Sequence, residues 1–181
     1  MKYRPLLWLL ILVLSINLLG CSKKTSDSPS PSSVAVETTN NQENGIRTIT
    51  NSTELVSSYR DWTVRLDDIA SKTKAAYTPW SKGEITVEKY LEQTKKLYEE
   101  MKQLNIETDL KTDVKLKKDD TNETEKAGKI IAAYQLVSKD LNDFLVTSNT
   151  RGDDEIKAKY QELILNNYTA HLKALNDLLK N

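Results

Sequence analysis

The sequence predicts an all-α fold: an antiparallel bundle of about four helices after a signal peptide and a disordered tether. Three observations predict it. Four stretches between residues 51 and 179 carry apolar side chains at alternating spacings of three and four, the repeat of a helix buried along one face. Turn or capping residues bound each stretch. Ahead of them stand a short apolar leader and a Ser/Pro-rich segment that offer no such stripe.

The leader comes first. Met1-Lys2-Tyr3-Arg4-Pro5 carries two positive charges, and Leu6 to Leu19 is an apolar run broken only by Ser15 and Asn17. At ~1.5 Å per residue that run reaches roughly 21 Å, short of the ~30 Å hydrocarbon core. A positive start, a short apolar run and a small residue at the end make a secretory signal peptide over residues 1–20.

Leu18-Leu19-Gly20-Cys21 resembles the lipobox of bacterial lipoproteins, and Cys21 is the only cysteine in the chain. The resemblance implies cleavage between Gly20 and Cys21. It also implies a diacylglycerol thioether on the Cys21 sulfur and an N-acyl chain, such as palmitate, on the new N-terminus. Two or three acyl chains hold a protein stably on a membrane, where one does not. The mature protein is thus expected to be lipid-anchored on the extracytoplasmic face of the cell membrane. The Ser/Thr-rich tether and short charged leader favour a Gram-positive cell. Because Ser22 follows the cysteine, the same resemblance implies the outer membrane in a Gram-negative one.

Residues 21–50 read as the lipidated cysteine and its tether. Pro29 and Pro31 block helix, and the serines, threonines and asparagines supply no core. A chain of this composition and ~29 residues spans about 30 Å root-mean-square. Lys23 and Lys24 lie beside the anchor, within reach of anionic head groups.

The folded domain is expected over residues 51–181. Asn51-Ser52-Thr53-Glu54 resembles a capping box, and the first helix buries Leu55, Tyr59, Trp62, Leu66, Ile69, Thr73 and Ala76, with Pro79 ending it. Asp61 with Arg65 and Asp68 with Lys72 are spaced as ion pairs on its wet side. The second helix follows Gly83 with Thr86 as N-cap, and buries Val87, Tyr90, Thr94, Leu97, Met101 and Leu104, widened by Leu91 and Tyr98. The third begins near Thr121 or Asn122 and buries Ala127, Ile130, Tyr134, Val137, Leu141 and Phe144. The fourth begins near Asp153, where three acids favour a helix N-terminus; its apolar face is Ile156, Tyr160, Leu163, Ile164, Tyr168, Leu172, Leu175, Leu178 and Leu179.

Residues 106–120 fit two periods. Ile106, Thr108, Leu110, Thr112, Val114 and Leu116 alternate like a strand, while Ile106, Leu110 and Val114 also fit a helix. A structureless connection of that length is unusual, so an ordered crossover with extended or short helical character is expected. The layout of lipobox, polar tether and Tyr-rich helices is similar to small helical-bundle lipoproteins of Gram-positive bacteria. That likeness implies a shape and no activity.

Composition narrows the function. Lys2 and Arg4 leave with the leader, so 24 bases face 26 acids in the mature chain, which argues against nucleic-acid binding. One cysteine and one histidine exclude multi-Cys zinc sites and His-rich centres, and no metal ligand set is found. No cofactor is expected beyond the covalent lipid on Cys21. His171, the sole histidine, falls on the apolar sector of the fourth helix and reads as a hydrogen-bonded core or groove residue. The paired acids Asp67-Asp68, Asp119-Asp120 and Asp153-Asp154 read as solvated faces and caps, since neighbours on a helix point about 100° apart. In Arg151-Gly152-Asp153, Gly152 reads as freeing the turn and Asp153 as capping the fourth helix. Three Asn-x-Ser/Thr acceptors read as chance.

No catalytic residues are assigned and no enzyme is expected. After residue 20 there are seven tyrosines against one phenylalanine, a polar choice of aromatic. Tyr59, Tyr77, Tyr160 and Tyr168, at the edges of the first and fourth helices, are the candidate contact for a partner in the envelope. The expected function is a membrane-anchored, non-enzymatic interaction or structural module; the alternative is a small-ligand-binding lipoprotein with a pocket between its helices.

Overall fold

The computed structural model describes residues 45–116 and 121–180. The expected signal peptide, Gly20, Cys21, the expected tether as far as residue 44 and the Asp119-Asp120 pair lie outside the described residues.

The described chain is an all-α bundle with a small parallel sheet at its side. β1 (Arg47–Ile49) leads into α1 (Ser52–Ser81), and α2 (Val87–Asn105) follows across a short turn. A π-helical turn (Ile106–Leu110) and β2 (Thr112–Val114) make the crossover to α3 (Thr121–Thr150). The last rod is α4 (Asp153–Lys159), a π-helical segment (Tyr160–Tyr168) and α5 (Thr169–Lys180) in unbroken succession.

Side-chain pairs fix the helix directions. Trp80 of α1 stacks on Tyr90 of α2 at 4.4 Å, and Lys72 meets Glu100 at 3.3 Å, so α1 and α2 run antiparallel. Tyr90 bonds Ser148 and Asn105 bonds Ser138, which sets α3 antiparallel to α2. Tyr77 meets Tyr160 while Asp67 meets Tyr168, which sets the last rod antiparallel to α1. The result is an up-down-up-down bundle with one long connection.

The expected stripes are the core. All seven stripe residues of α1 are buried, as are Tyr90, Thr94, Leu97, Met101 and Leu104 of α2 and all six of α3. On the last rod Ile156, Tyr160, Leu163, Ile164, Tyr168, Leu175 and Leu179 are buried. The expected caps form too: Asn51 Oδ1 accepts from the Glu54 amide at 2.8 Å and Thr86 Oγ1 from the Lys89 amide at 3.4 Å.

Four expectations need correction. The tether expected through residue 50 gives way sooner to folded chain: Arg47–Ile49 pair in parallel with Thr112–Val114, and Ile49 is fully buried. Three strand residues gain their partner more than sixty positions away, which local pattern does not show. Pro79 does not end α1, which runs on to Ser81. Proline costs the helix one N–H donor, but only two residues from its end at Ser81, and the stack on Tyr90 holds Trp80 in line. The chain instead turns at Gly83, whose φ of +74° is the left-handed conformation common just past a helix end. Arg65 pairs with Glu107 at 2.7 Å across the bundle, and the expected Asp61 partner gives way to it. Gly152 has φ −79°, which any residue adopts, and is itself the N-cap, while Asp153 is the first helical residue.

Candidate functional site

The helices differ in length, and that difference makes a site. α1 and α3 have 30 residues each, α2 only 19. At ~1.5 Å per residue α1 and α3 each outrun α2 by about 16 Å. At the end of the bundle where α1 and α3 begin and α5 finishes lies a cleft of about 600 Å³. Leu55, Val56, Ala127, Ile130 and Leu179 form its apolar floor. Among the described residues Arg60, Lys126 and Lys180 bring positive charge to its wall, against one acid, Glu123. The Arg60 guanidinium donates to the Leu179 carbonyl near the end of α5, which steadies both groups at the edge of the cleft.

A second constellation joins α3 to α5. His171 Nδ1 lies 2.6 Å from Asp140 Oδ2; the Asp140 residue is 7% exposed, whereas the imidazole is about one-third exposed. The expectation of a hydrogen-bonded groove histidine holds, and its partner is a residue that sequence reasoning passed over. The signal was present: Asp140 stands three after Val137 and four before Phe144, an acid on an apolar stripe. Burial demands a partner for such a group.

A third centres on the crossover. Trp62 Nε1 donates to Glu107 Oε1 at 2.8 Å, and Arg65 donates to Oε2 of the same carboxylate at 2.7 Å. Burial opposes the Glu107 charge, but the hydrogen bonds from Arg65 and Trp62 and the nearby charges of Arg65 and Arg47 outweigh it. The carboxyl is held below the usual glutamate range.

The tyrosines proposed as a partner contact are mostly core. Tyr59 is buried edge-on against Trp62 and Tyr134, with ring centroids 5.0 and 5.2 Å away. Tyr160 is 8% exposed and lies flat on Tyr77 at 3.5 Å, the two planes 5° apart. Tyr168 is buried, and its hydroxyl donates to Asp67 Oδ1 at 3.4 Å. Only Tyr77 is half-buried. Of these four hydroxyls, that of Tyr168 reaches outward to the exposed Asp67, while the Tyr59 and Tyr160 rings are packed away in the core. Burial, with the Asp109 charge adding to it, pushes the Tyr59 phenol up to about 12.

Asp67 and Asp68 point to different partners, Tyr168 and Lys72, as adjacent helical positions should. Among the described residues no three His, Cys, Asp or Glu side chains are grouped to hold a metal ion, and no helix is long and apolar enough to cross a membrane. Compared with known protein families, curated proteins and solved structures, the chain matches none.

Proposed function

We propose that the chain is a lipid-anchored lipoprotein of the bacterial envelope, held on the extracytoplasmic face, whose helical domain is a non-enzymatic interaction module. One observation carries the reading: Leu18-Leu19-Gly20-Cys21 closes a short apolar leader with the chain's only cysteine. A polar tether and a bundle follow, an arrangement that lets a domain search the layer next to its membrane. Confinement to that layer raises the effective concentration of other anchored partners, so modest affinity suffices. The Asp140–His171 contact fits the same reading, since it satisfies a buried carboxylate. The test is Cys21→Ser in cells. The expected result is loss of the lipid mass and departure from the membrane fraction, or retention of the leader. Unchanged mass and fractionation would overturn the anchor. Crosslinking of intact cells, expected to recover an envelope component, tests the module.

A second reading, a small-ligand-binding lipoprotein, is favoured by the cleft. Its volume of about 600 Å³ falls inside the range of about 300–1,000 Å³ usual for small-molecule sites.

A further inference from the structure

We infer that the cleft at the α1–α3–α5 end takes one acyl chain of an anionic membrane amphiphile, with its head group at Arg60, Lys126 and Lys180. This rests on the small-ligand reading just given.

The floor argues for the chain. Leu55, Val56, Ala127, Ile130 and Leu179 are aliphatic, and among the described residues no aromatic ring lines the cleft on which a sugar or base could stack. A flexible hydrocarbon gains from covering such a floor at about 25 cal/mol per Å².

The wall argues for the head group. Among the described residues three cations face one acid. Arg60 spends one N–H bond on the Leu179 carbonyl, and a guanidinium has further donors in a fork suited to phosphate or carboxylate. Lys126 is half-buried and makes no ion pair among the described residues. Lys180 shares Asp177, 3.7 Å away, with Lys173, which holds that carboxylate at 2.8 Å. The starts of α1 and α3 add partial positive charge on the same side.

Connectivity argues for the membrane as the source. β1 ends at Ile49 and α1 begins at Ser52, which itself lines the cleft. The end of the bundle that carries the cleft is therefore the end joined to Cys21. Twenty-five residues, Ser22 to Ile46, separate Cys21 from β1. On the proposed anchoring, this is the end of the domain that the chain ties toward the bilayer.

The test uses the mature chain, residues 21–181 with Cys21→Ser, titrated with a fluorescent fatty acid below its micelle concentration. Saturable binding is expected. Lysophosphatidylglycerol should compete, lysophosphatidylcholine should compete less well, and inorganic phosphate should not compete. Lys126→Glu should weaken the anionic probes roughly tenfold, the worth of one charge-assisted hydrogen bond. Val56→Asp, at a half-buried floor position, should abolish binding while the helical circular dichroism persists. Equal competition by the zwitterionic lipid would overturn the anionic head group yet leave the cleft as a small-ligand site. Binding untouched by both substitutions, or no binding at all, would overturn the cleft as the site. None of these outcomes bears on anchoring, which the cell fractionation decides separately.

Discussion

His171 on α5 and Asp140 on α3 form a polar contact, 2.6 Å long, between two helices whose stripes are otherwise mainly apolar. The carboxylate is the buried partner and the imidazole the more open one, so the histidine serves the aspartate. Replacing His171 by Ala should leave the Asp140 carboxylate without its partner in a dry place. The expected loss is about 1–3 kcal/mol of unfolding free energy, by urea titration. The pair Asp140→Leu with His171→Ala should recover much of it, because two apolar groups leave nothing unsatisfied. A double variant as unstable as the single one would show that the contact matters through packing alone.

Trp62 is 2% exposed and is tied at its ring nitrogen to Glu107. Trp62→Ala should cost about 3–5 kcal/mol. Against a total of about 5–15 kcal/mol for a domain, that is enough to lower the melting temperature markedly. Trp62→Phe should cost less, since it keeps most of the ring volume and loses the hydrogen bond. A melting temperature unmoved by Trp62→Ala would remove the indole from the core.

Glu107 makes the crossover sensitive to acid. Its folded pKa is depressed, so its contribution is present above the unfolded value of about 4.3 and is lost as pH falls through the folded one. The carboxylate is nearly half exposed, so solvent screening keeps the effect small. The indole N–H of Trp62 reports the event, since it donates to the group that titrates. Trp62 emission should change below pH ~4 in the parent and stay flat in Glu107→Gln. An identical acid transition in that variant would assign the titration elsewhere.

The helices were legible because each stripe is a local repeat. Leu55 to Ala76 and Ala127 to Phe144 announce their faces without reference to any partner. What could not be read depends on residues far apart. β1 pairs with β2 across the whole α1–α2 hairpin, and Glu107 reaches back to Trp62 and Arg65. The tyrosines misled for a different reason: composition recorded their hydroxyls but not where the bonds would go. Tyr90 places its oxygen on Ser148 at 2.9 Å inside the core, and Tyr168 reaches Asp67. The cleft had no motif at all, since it follows from α2 being shorter than its neighbours.

The buried phenols predict how the domain fails in alkali. Burial pushes Tyr90 up to about 12, although the Ser148 hydrogen bond acts the other way. Tyr59 is raised to about 12 by burial and Asp109, and Tyr134 and Tyr168 are raised as well, again chiefly by burial. A raised folded pKa means that the neutral phenol is the form the fold accommodates. Stability is then fully present below the unfolded tyrosine value of about 10 and is lost as pH rises through the folded values. Because Tyr59 and Tyr134 pack on one another, exposing either disrupts the other. The expected result is a steep rise in tyrosinate absorbance that coincides with loss of helical circular dichroism well above pH 10. Tyr90→Phe removes one ionisable group but strands the Ser148 hydroxyl. It should lower stability at neutral pH by about 0.5–1.5 kcal/mol while reducing the alkaline absorbance step by one tyrosine. Gradual ionisation of all the tyrosines near pH 10, with the helical signal intact, would mean that these rings are open to solvent and that the aromatic core is misplaced.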